Sequence, residues 1–253
     1  MSKPLVILEN ISAGYNGNKI LDNISLTLEE GDFIGVIGPN GGGKTTLLRI
    51  ILELLKPMSG RVKKNIEASK IGYLPQVNQF DGQFPITVYD VVLSGMSEGL
   101  GIRRKRRSAY RAKVDETLSK MGMSHLKDRA IGELSGGELQ RTMLGRAIIS
   151  SPRLLLLDEP NTYVDNLFEQ ELYRLLKELN QDMTILLVSH DVGTISPYIK
   201  SIACVNRSLH YHPSNEITTE LLKVYNCPIE LVTHGPVPHR VIHDHTDEEN
   251  GNR

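Results

Sequence analysis

Neither sign of charge predominates in this 253-residue chain: acidic and basic side chains nearly cancel, leaving a formal net charge of -1. So balanced a chain has no general attraction for polyanions, so no nucleic-acid partner is expected. Cysteine is scarce. Cys204 and Cys227 are too few and too scattered for a disulfide framework or a zinc knuckle, and a reducing cytosol is the expectation. Long apolar runs are missing too: Leu154 to Leu157 and Ile185 to Val188 are strand-sized, against the roughly 20 residues a membrane-spanning helix needs. The opening MSKPLVILEN lacks the apolar stretch of a secretion signal, and a soluble protein is expected. There is no internal repeat and no sustained heptad pattern.

What is present reads as apolar strands alternating with helices. Residues 5–8, 24–28 and 33–37 predict strands, the second with Ile24, Leu26 and Leu28 on one face. A helix is predicted from Thr45 to Leu55, ahead of Pro57, and Ser59-Gly60 turns into another strand. Between about 80 and 150 the pattern turns helical, with Thr87-x-x-Asp90 as a capping box and a further helix over Ala109 to Met121. Strands return at 154–157, 185–188 and 202–205, and a helix between the first two carries Leu172, Leu175, Leu176 and Leu179 on one face. This order implies an α/β fold with a mainly parallel sheet covered on both sides. Beyond 206, short strands, a helix near 218–225 and a His-bearing tail are expected, with DEENGNR disordered.

Three stretches carry chemistry. Gly38-Pro39-Asn40-Gly41-Gly42-Gly43-Lys44-Thr45-Thr46 lies between a strand and a helix, the context a P-loop needs. Glycines let backbone N–H groups approach a phosphate, the helix N-terminus favours the anion, Lys44 reaches the terminal phosphates and Thr45 offers a hydroxyl to Mg²⁺. LLLLDEP ends an apolar strand in two carboxylates: Asp158 suits Mg²⁺, and Glu159 suits a general base acting on water. Water as nucleophile disfavours a kinase, and the missing Asn-Lys-x-Asp motif disfavours a GTPase. In SHD, His190 is either structural or a contact to the γ-phosphate. Finally, Ser135-Gly136-Gly137-Glu138 is a capping box with two glycines in its first turn, each costing ~1 kcal/mol relative to Ala. Close approach of another molecule accounts for them, which makes this a second anion-binding helix start.

GPNGGGKTT, Gln76 after a strand, LSGGE, LLLLDEP, Asp165 and SHD occur in the order that resembles the ATP-binding subunit of an ABC transporter, over residues 5 to about 210. The resemblance implies a P-loop ATPase core (1–79 and 151–210) with an antiparallel β part near the N-terminus. It also implies an inserted helical subdomain (80–150) that receives a membrane permease. It implies a head-to-tail homodimer in which ATP lies between one P-loop and Ser135, Gly136 and Gly137 of the other chain. Tyr15 would stack on adenine, Gln76 would sense Mg²⁺ and the permease, and Asp165 would link the two sites. Glu138 stands where many relatives have Gln, and Tyr163 where a smaller residue is commoner. One set of motifs disfavours a soluble translation-type ATPase, and the lack of heptads disfavours a chromosome or repair ATPase.

GPNGGGKTTLLR, EPNTYVD and CPIELVTHGPVPHRV further resemble subunits of zinc and manganese importers. That implies a peripheral position on the cytoplasmic face of the cell membrane and a metal-binding delivery protein as partner. A different cargo is the alternative. His210, His212, His234, His239, His243 and His245 gather in the 211–253 extension and just before it. A polar tail near a dimer interface is the simpler reading, and a regulatory zinc site the other. Arg103 to Arg107 reads as the solvated start of a helix, with a face toward anionic lipid as the alternative.

Overall fold

The computed structural model describes residues 3–76, 85–96, 107–161, 166–216, 230–233 and 238–241, with the backbone alone at 107, 166–168, 230–233 and 238–241. Its centre is a six-stranded sheet in the order β5 (Ile71–Leu74), β6 (Leu154–Asp158), β7 (Thr184–Val188), β3 (Phe33–Ile37), β8 (Ser201–Asn206) and β9 (Ser208–His212). The first five are mutually parallel and β9 closes the edge antiparallel to β8. Every residue of β3, β6 and β7 is buried, as expected of strands covered on both faces.

Alternate residues of these strands serve two cores. Leu155, Leu157, Ile185 and Leu187 face a cluster completed by helices α2 (Val88–Leu93), α3 (Arg107–Lys120), α4 (Gly136–Ile148) and α5 (Asn166–Leu179). Leu154, Leu156, Leu186 and Val188 face helix α1 (Lys44–Ile51) and a three-stranded antiparallel sheet. That sheet has the order β2 (Asn18–Glu29), β1 (Pro4–Tyr15), β4 (Ser59–Lys64). On β2, Ile24, Leu26 and Leu28 are buried while Ser25 and Thr27 are exposed, the alternation of a half-buried strand. A short helix α6 (Val192–Ile195) follows β7, and β10 (Glu230–Thr233) pairs with β11 (Pro238–Val241).

Two local expectations change. The helix expected to reach Leu55 stops at Ile51. Glu53 takes a left-handed conformation (φ 60°), and the N–H groups of Leu54 and Leu55 both return to the Arg49 carbonyl at 2.8 and 3.1 Å. Capping of the last carbonyls by a left-handed residue thus ends the helix before Pro57 can. The first strand runs to Tyr15 rather than ending at residue 8, bent by register shifts at Leu8/Ile11 and beyond. The helix expected near 218–225, the Arg103 to Arg107 run except for the backbone of Arg107, and the tail from residue 242 lie outside the described residues. No helix among the described residues is long and apolar enough to cross a membrane.

A buried amide fixes where the central strands begin. Asn180, just past α5, donates through Nδ2 to the carbonyls of Asp32 (2.8 Å), Met183 (3.0 Å) and Gly31 (3.3 Å). Thr184 completes the junction by accepting from Gly31 N–H at 2.9 Å and donating to Glu29 O at 3.0 Å. Replacing Asn180 by Leu removes one donor from each carbonyl, while Asp32 O keeps Ile185 N–H and Gly31 O keeps Lys200 Nζ, so stability should fall by about 0.5–1.5 kcal/mol. A urea titration should show a lower midpoint at unchanged slope.

Candidate active site

Parallel register places the chemically distinctive residues along one edge of the sheet. Val36 pairs with Val188, and Val188 with Asp158, so the carboxyl ends of β3, β7 and β6 come level; Leu74 pairs with Leu157 next to them. The glycine-rich loop, His190, Glu159 and Gln76 follow directly from these four strand ends, the position where open α/β sheets bind ligands.

The loop is held against β8. A Cβ on Gly38 would lie 2.0 Å from Val205 O, and one on Gly43 would lie 2.4 Å from Leu21 Cδ2, where the backbone is also left-handed at φ 108°. Only glycine fits at either position. Arg207 N–H donates to Gly42 O at 3.1 Å, a clamp that no motif in the sequence announces. Asn40 and Gly41 are exposed, Gly42, Gly43 and Thr46 buried. Gly43 caps α1 without a side-chain hydrogen bond, and no acidic residue stands in the first turn.

Lys44 is buried and its Nζ donates to the carbonyls of Gly38 (2.9 Å) and Pro39 (3.1 Å), with a Glu159 carboxylate oxygen at 3.9 Å. Thr45 Oγ1 donates to Asp158 Oδ1 at 3.3 Å. Burial pushes the Asp158 carboxyl above its ordinary pKa, opposed by the Thr45 hydrogen bond. A buried carboxylate beside a hydroxyl is a hard-oxygen donor set that suits Mg²⁺, which would offset the cost of burying the charge.

Glu159 behaves oppositely. Its hydrogen bond with His190 is the largest influence, and with the charge of Lys44 it holds the carboxyl below its ordinary range despite burial. His190 Nδ1 lies 3.6 Å from Glu159 Oε2, and Gln76 Nε2 donates to the same oxygen at 3.0 Å. The Glu159 backbone is left-handed (φ 48°), uncommon outside glycine and frequent at functional sites.

Other predicted residues lie apart from this cluster or beyond description. Tyr15, at the end of β1, accepts a hydrogen bond from Arg49 at 3.0 Å, with the guanidinium 5.9 Å from the ring centre. Ser135 N-caps α4 in a full capping box: its N–H and Oγ donate to Glu138 Oε2 at 2.8 and 2.9 Å, and Glu138 N–H donates to Ser135 Oγ at 3.3 Å. Ser135 and Gly136 are exposed and Gly137 partly so. Asp165 and Tyr163 lie outside the described residues, as do His234, His243, His245 and the His239 side chain. His210 sits 3.2 Å from Ser208 Oγ, and among the described residues no group of three or more His, Cys, Asp and Glu side chains is arranged to hold a metal.

The sequence pattern of the ABC transporter family matches residues 21–162, more than half of the chain. The zinc uptake system ATP-binding protein ZurA of Listeria innocua is 37% identical over 220 residues, 83% of this chain and 86% of that one. The zinc import ATP-binding protein ZnuC of Pasteurella multocida is 40% identical over 210 residues, 81% and 74% of the two chains. Among solved structures, a dimeric post-hydrolysis state of the ATP-binding cassette MJ0796 bound to ADP and Pi superposes with a TM-score of 0.70 at 25% identity, covering 84% of this chain and all of that one.

The capping box yields a prediction with a defined pH sign. Hydrogen bonds from the Ser135 backbone and side chain hold the Glu138 carboxyl below its ordinary pKa. Its stabilisation is therefore present above the unfolded-state pKa and lost as pH falls through the lower folded one. Glu138→Ala should cost at most about 0.3–1 kcal/mol at neutral pH, and denaturation midpoints of variant and wild type should converge as the solution is acidified.

Proposed function

The chain belongs to the ABC transporter family, whose ATP-binding subunits hydrolyse ATP, and from that premise we propose that it drives import of zinc or manganese through separate membrane permease subunits. The observation that carries the reading is the convergence of Lys44, Thr45, Asp158, Glu159 and His190 at one sheet edge. The named cargo of the two zinc-uptake relatives supports the choice of metal.

In this reading the loop from Gly38 to Gly43 and the first turn of α1 through Thr46 cradle the phosphates, and Lys44 trades its loop carbonyls for the terminal phosphate oxygens. Thr45, Asp158 and Gln76 would hold Mg²⁺, which supplies neutralisation of charge on the phosphates. Glu159, kept ionised, accepts the proton of the attacking water, and His190 both orients Glu159 and contacts the γ-phosphate. Tyr15 stacks on adenine.

A second copy completes the site. Ser135, Gly136, Gly137 and Glu138 of one chain face the triphosphate on the other, and Asp165 links the two sites; the dimeric MJ0796 cassette supports this pairing. Residues 80–150 receive the permease at the cytoplasmic face of the membrane, where the subunit is peripheral. A metal-binding delivery protein presents the cargo, and residues 211–253 form an extension to the 1–79 and 151–210 core.

Glu159→Gln tests the chemistry. The variant should bind ATP with turnover lowered ~10²–10⁴-fold and accumulate dimers on size-exclusion chromatography; turnover at the wild-type rate would overturn the assignment of the base. Lys44→Ala should lose nucleotide affinity. Zinc and manganese uptake in a strain lacking the chain then tests the cargo, and undiminished uptake of both metals would refute it.

A further inference from the structure

The turn between β8 and β9 makes contacts that its own hairpin does not need. Arg207 stands outside both strands, between Asn206 and Ser208, which pair with each other. Its backbone is left-handed at φ 60°, uncommon for a residue with a side chain. A strand residue directs its N–H and carbonyl into a ladder. Arg207 directs them to two other elements instead. Its N–H donates to Gly42 O in the glycine-rich loop at 3.1 Å, and its carbonyl accepts from Asp22 N–H of β2 at 2.7 Å.

Both receiving sites are shaped for the contact. The β1–β2 ladder pairs Leu21 with Ala13 and Ile24 with Ile11, and its register shifts as it passes Asp22 and Asn23. Such a bulge re-aims backbone groups, and here it leaves Asp22 N–H for Arg207. Ser12 holds the bulge, its Oγ donating to Asp22 Oδ1 at 3.1 Å and accepting from Asn23 N–H at 3.0 Å. On the other side, a Cβ on Gly42 would lie 2.8 Å from Val205 O, so the loop approaches the end of β8 as closely as only glycine permits. The hairpin attached in this way is the one that carries Tyr15, paired with Asn18 across its turn.

We propose that Arg207 is a positioning residue for nucleotide: its backbone splices the phosphate loop to the Tyr15 hairpin, so that the two ends of ATP meet one preassembled site. This rests on the roles given above to the loop and to Tyr15. Only a ligand that spans both ends gains from the splice, because a fixed separation of two subsites removes an ordering cost from the binding of that ligand. A ligand that fills the loop alone is indifferent to it. Lys44 on its loop carbonyls and the packing of Gly38 on Val205 organise the loop without help from β2.

The probes are the non-hydrolysable imido analogue of ATP and inorganic tripolyphosphate, each titrated by calorimetry against the full chain. Arg207→Pro removes the N–H and forbids the left-handed turn. Affinity for the analogue should fall about tenfold, the equivalent of ordering one or two side chains, while affinity for tripolyphosphate stays within about twofold. Arg207→Gly keeps both hydrogen bonds and the turn but deletes the guanidinium, so it should bind both ligands as wild type does. Equal losses for the two ligands in Arg207→Pro, or wild-type binding of both, overturn the splice and leave the phosphate reading standing. A loss in Arg207→Gly overturns it too, because the guanidinium would then carry the effect. Should Arg207→Pro fail to fold, Arg207→Val reads the same quantity, since a β-branched residue strongly disfavours the left-handed region. It should weaken the analogue severalfold without changing tripolyphosphate binding, and behaviour matching Arg207→Gly refutes the splice. A wild-type chain that binds neither ligand removes the phosphate reading itself, and the splice with it.

Discussion

Parallel pairing of β3, β7 and β6 is the constraint from which the site follows. Antiparallel neighbours would send successive strand ends to opposite sides, whereas parallel ones deliver every carboxyl end to a single edge. The level pairing of Val36, Val188 and Asp158 therefore brings together a loop, an imidazole and two carboxylates that are far apart in sequence. That arrangement requires strands buried on both faces, and the uninterrupted apolar runs of LLLL and ILLV meet the requirement. Asn180 and Thr184 secure the opposite edge, where the strands begin, so register is set at one end and read out at the other.

Electrostatics then separates two adjacent acids. Asp158, deep in the fold, is raised by burial, and Glu159, one residue on, is lowered by His190 and Lys44. The left-handed turn at Glu159 makes the division possible, because it swings the second carboxylate away from the strand and toward the histidine. Neighbouring carboxyls pushed in opposite directions serve different tasks: one suits a cation, the other remains a charged acceptor. Lys44, meanwhile, is satisfied by carbonyls of its own loop, so its buried charge is tolerated before any ligand arrives.

Much of this was legible in the sequence because it depends on short-range rules. Strand-loop-helix context placed the glycine-rich loop at a strand end ahead of α1, alternation identified β2, and Ser135-x-x-Glu138 identified a cap whose every hydrogen bond is present. What escaped depends on contacts between distant segments. Nothing in the string IILELLKP marks Glu53 as left-handed, so α1 read as longer than it is. The Arg207 clamp on Gly42, the pairing of Arg49 with Tyr15, and the Asn161 amide on Glu169 join residues that no local pattern connects.

The two helix starts that the glycines mark are not equivalent, and the difference bears on how the site closes. Helix α1 begins without a side-chain cap and without an acid of its own in the first turn, the Asp158 carboxylate reaching Thr45 from β6 instead. Helix α4 begins with Glu138 drawing in both donors of Ser135, which compensates its dipole internally. The backbone N–H groups at the first carry no side-chain cap, whereas the second is an occupied position. In the proposed pair, triphosphate would settle first on the loop and α1, and the partner's α4 would engage only by releasing Ser135 from its own carboxylate. Glu138 would put a negative charge where that exchange takes place. In that reading closure would be opposed by the same capping box that starts α4, which would tie the stability of the single subunit to the threshold for pairing.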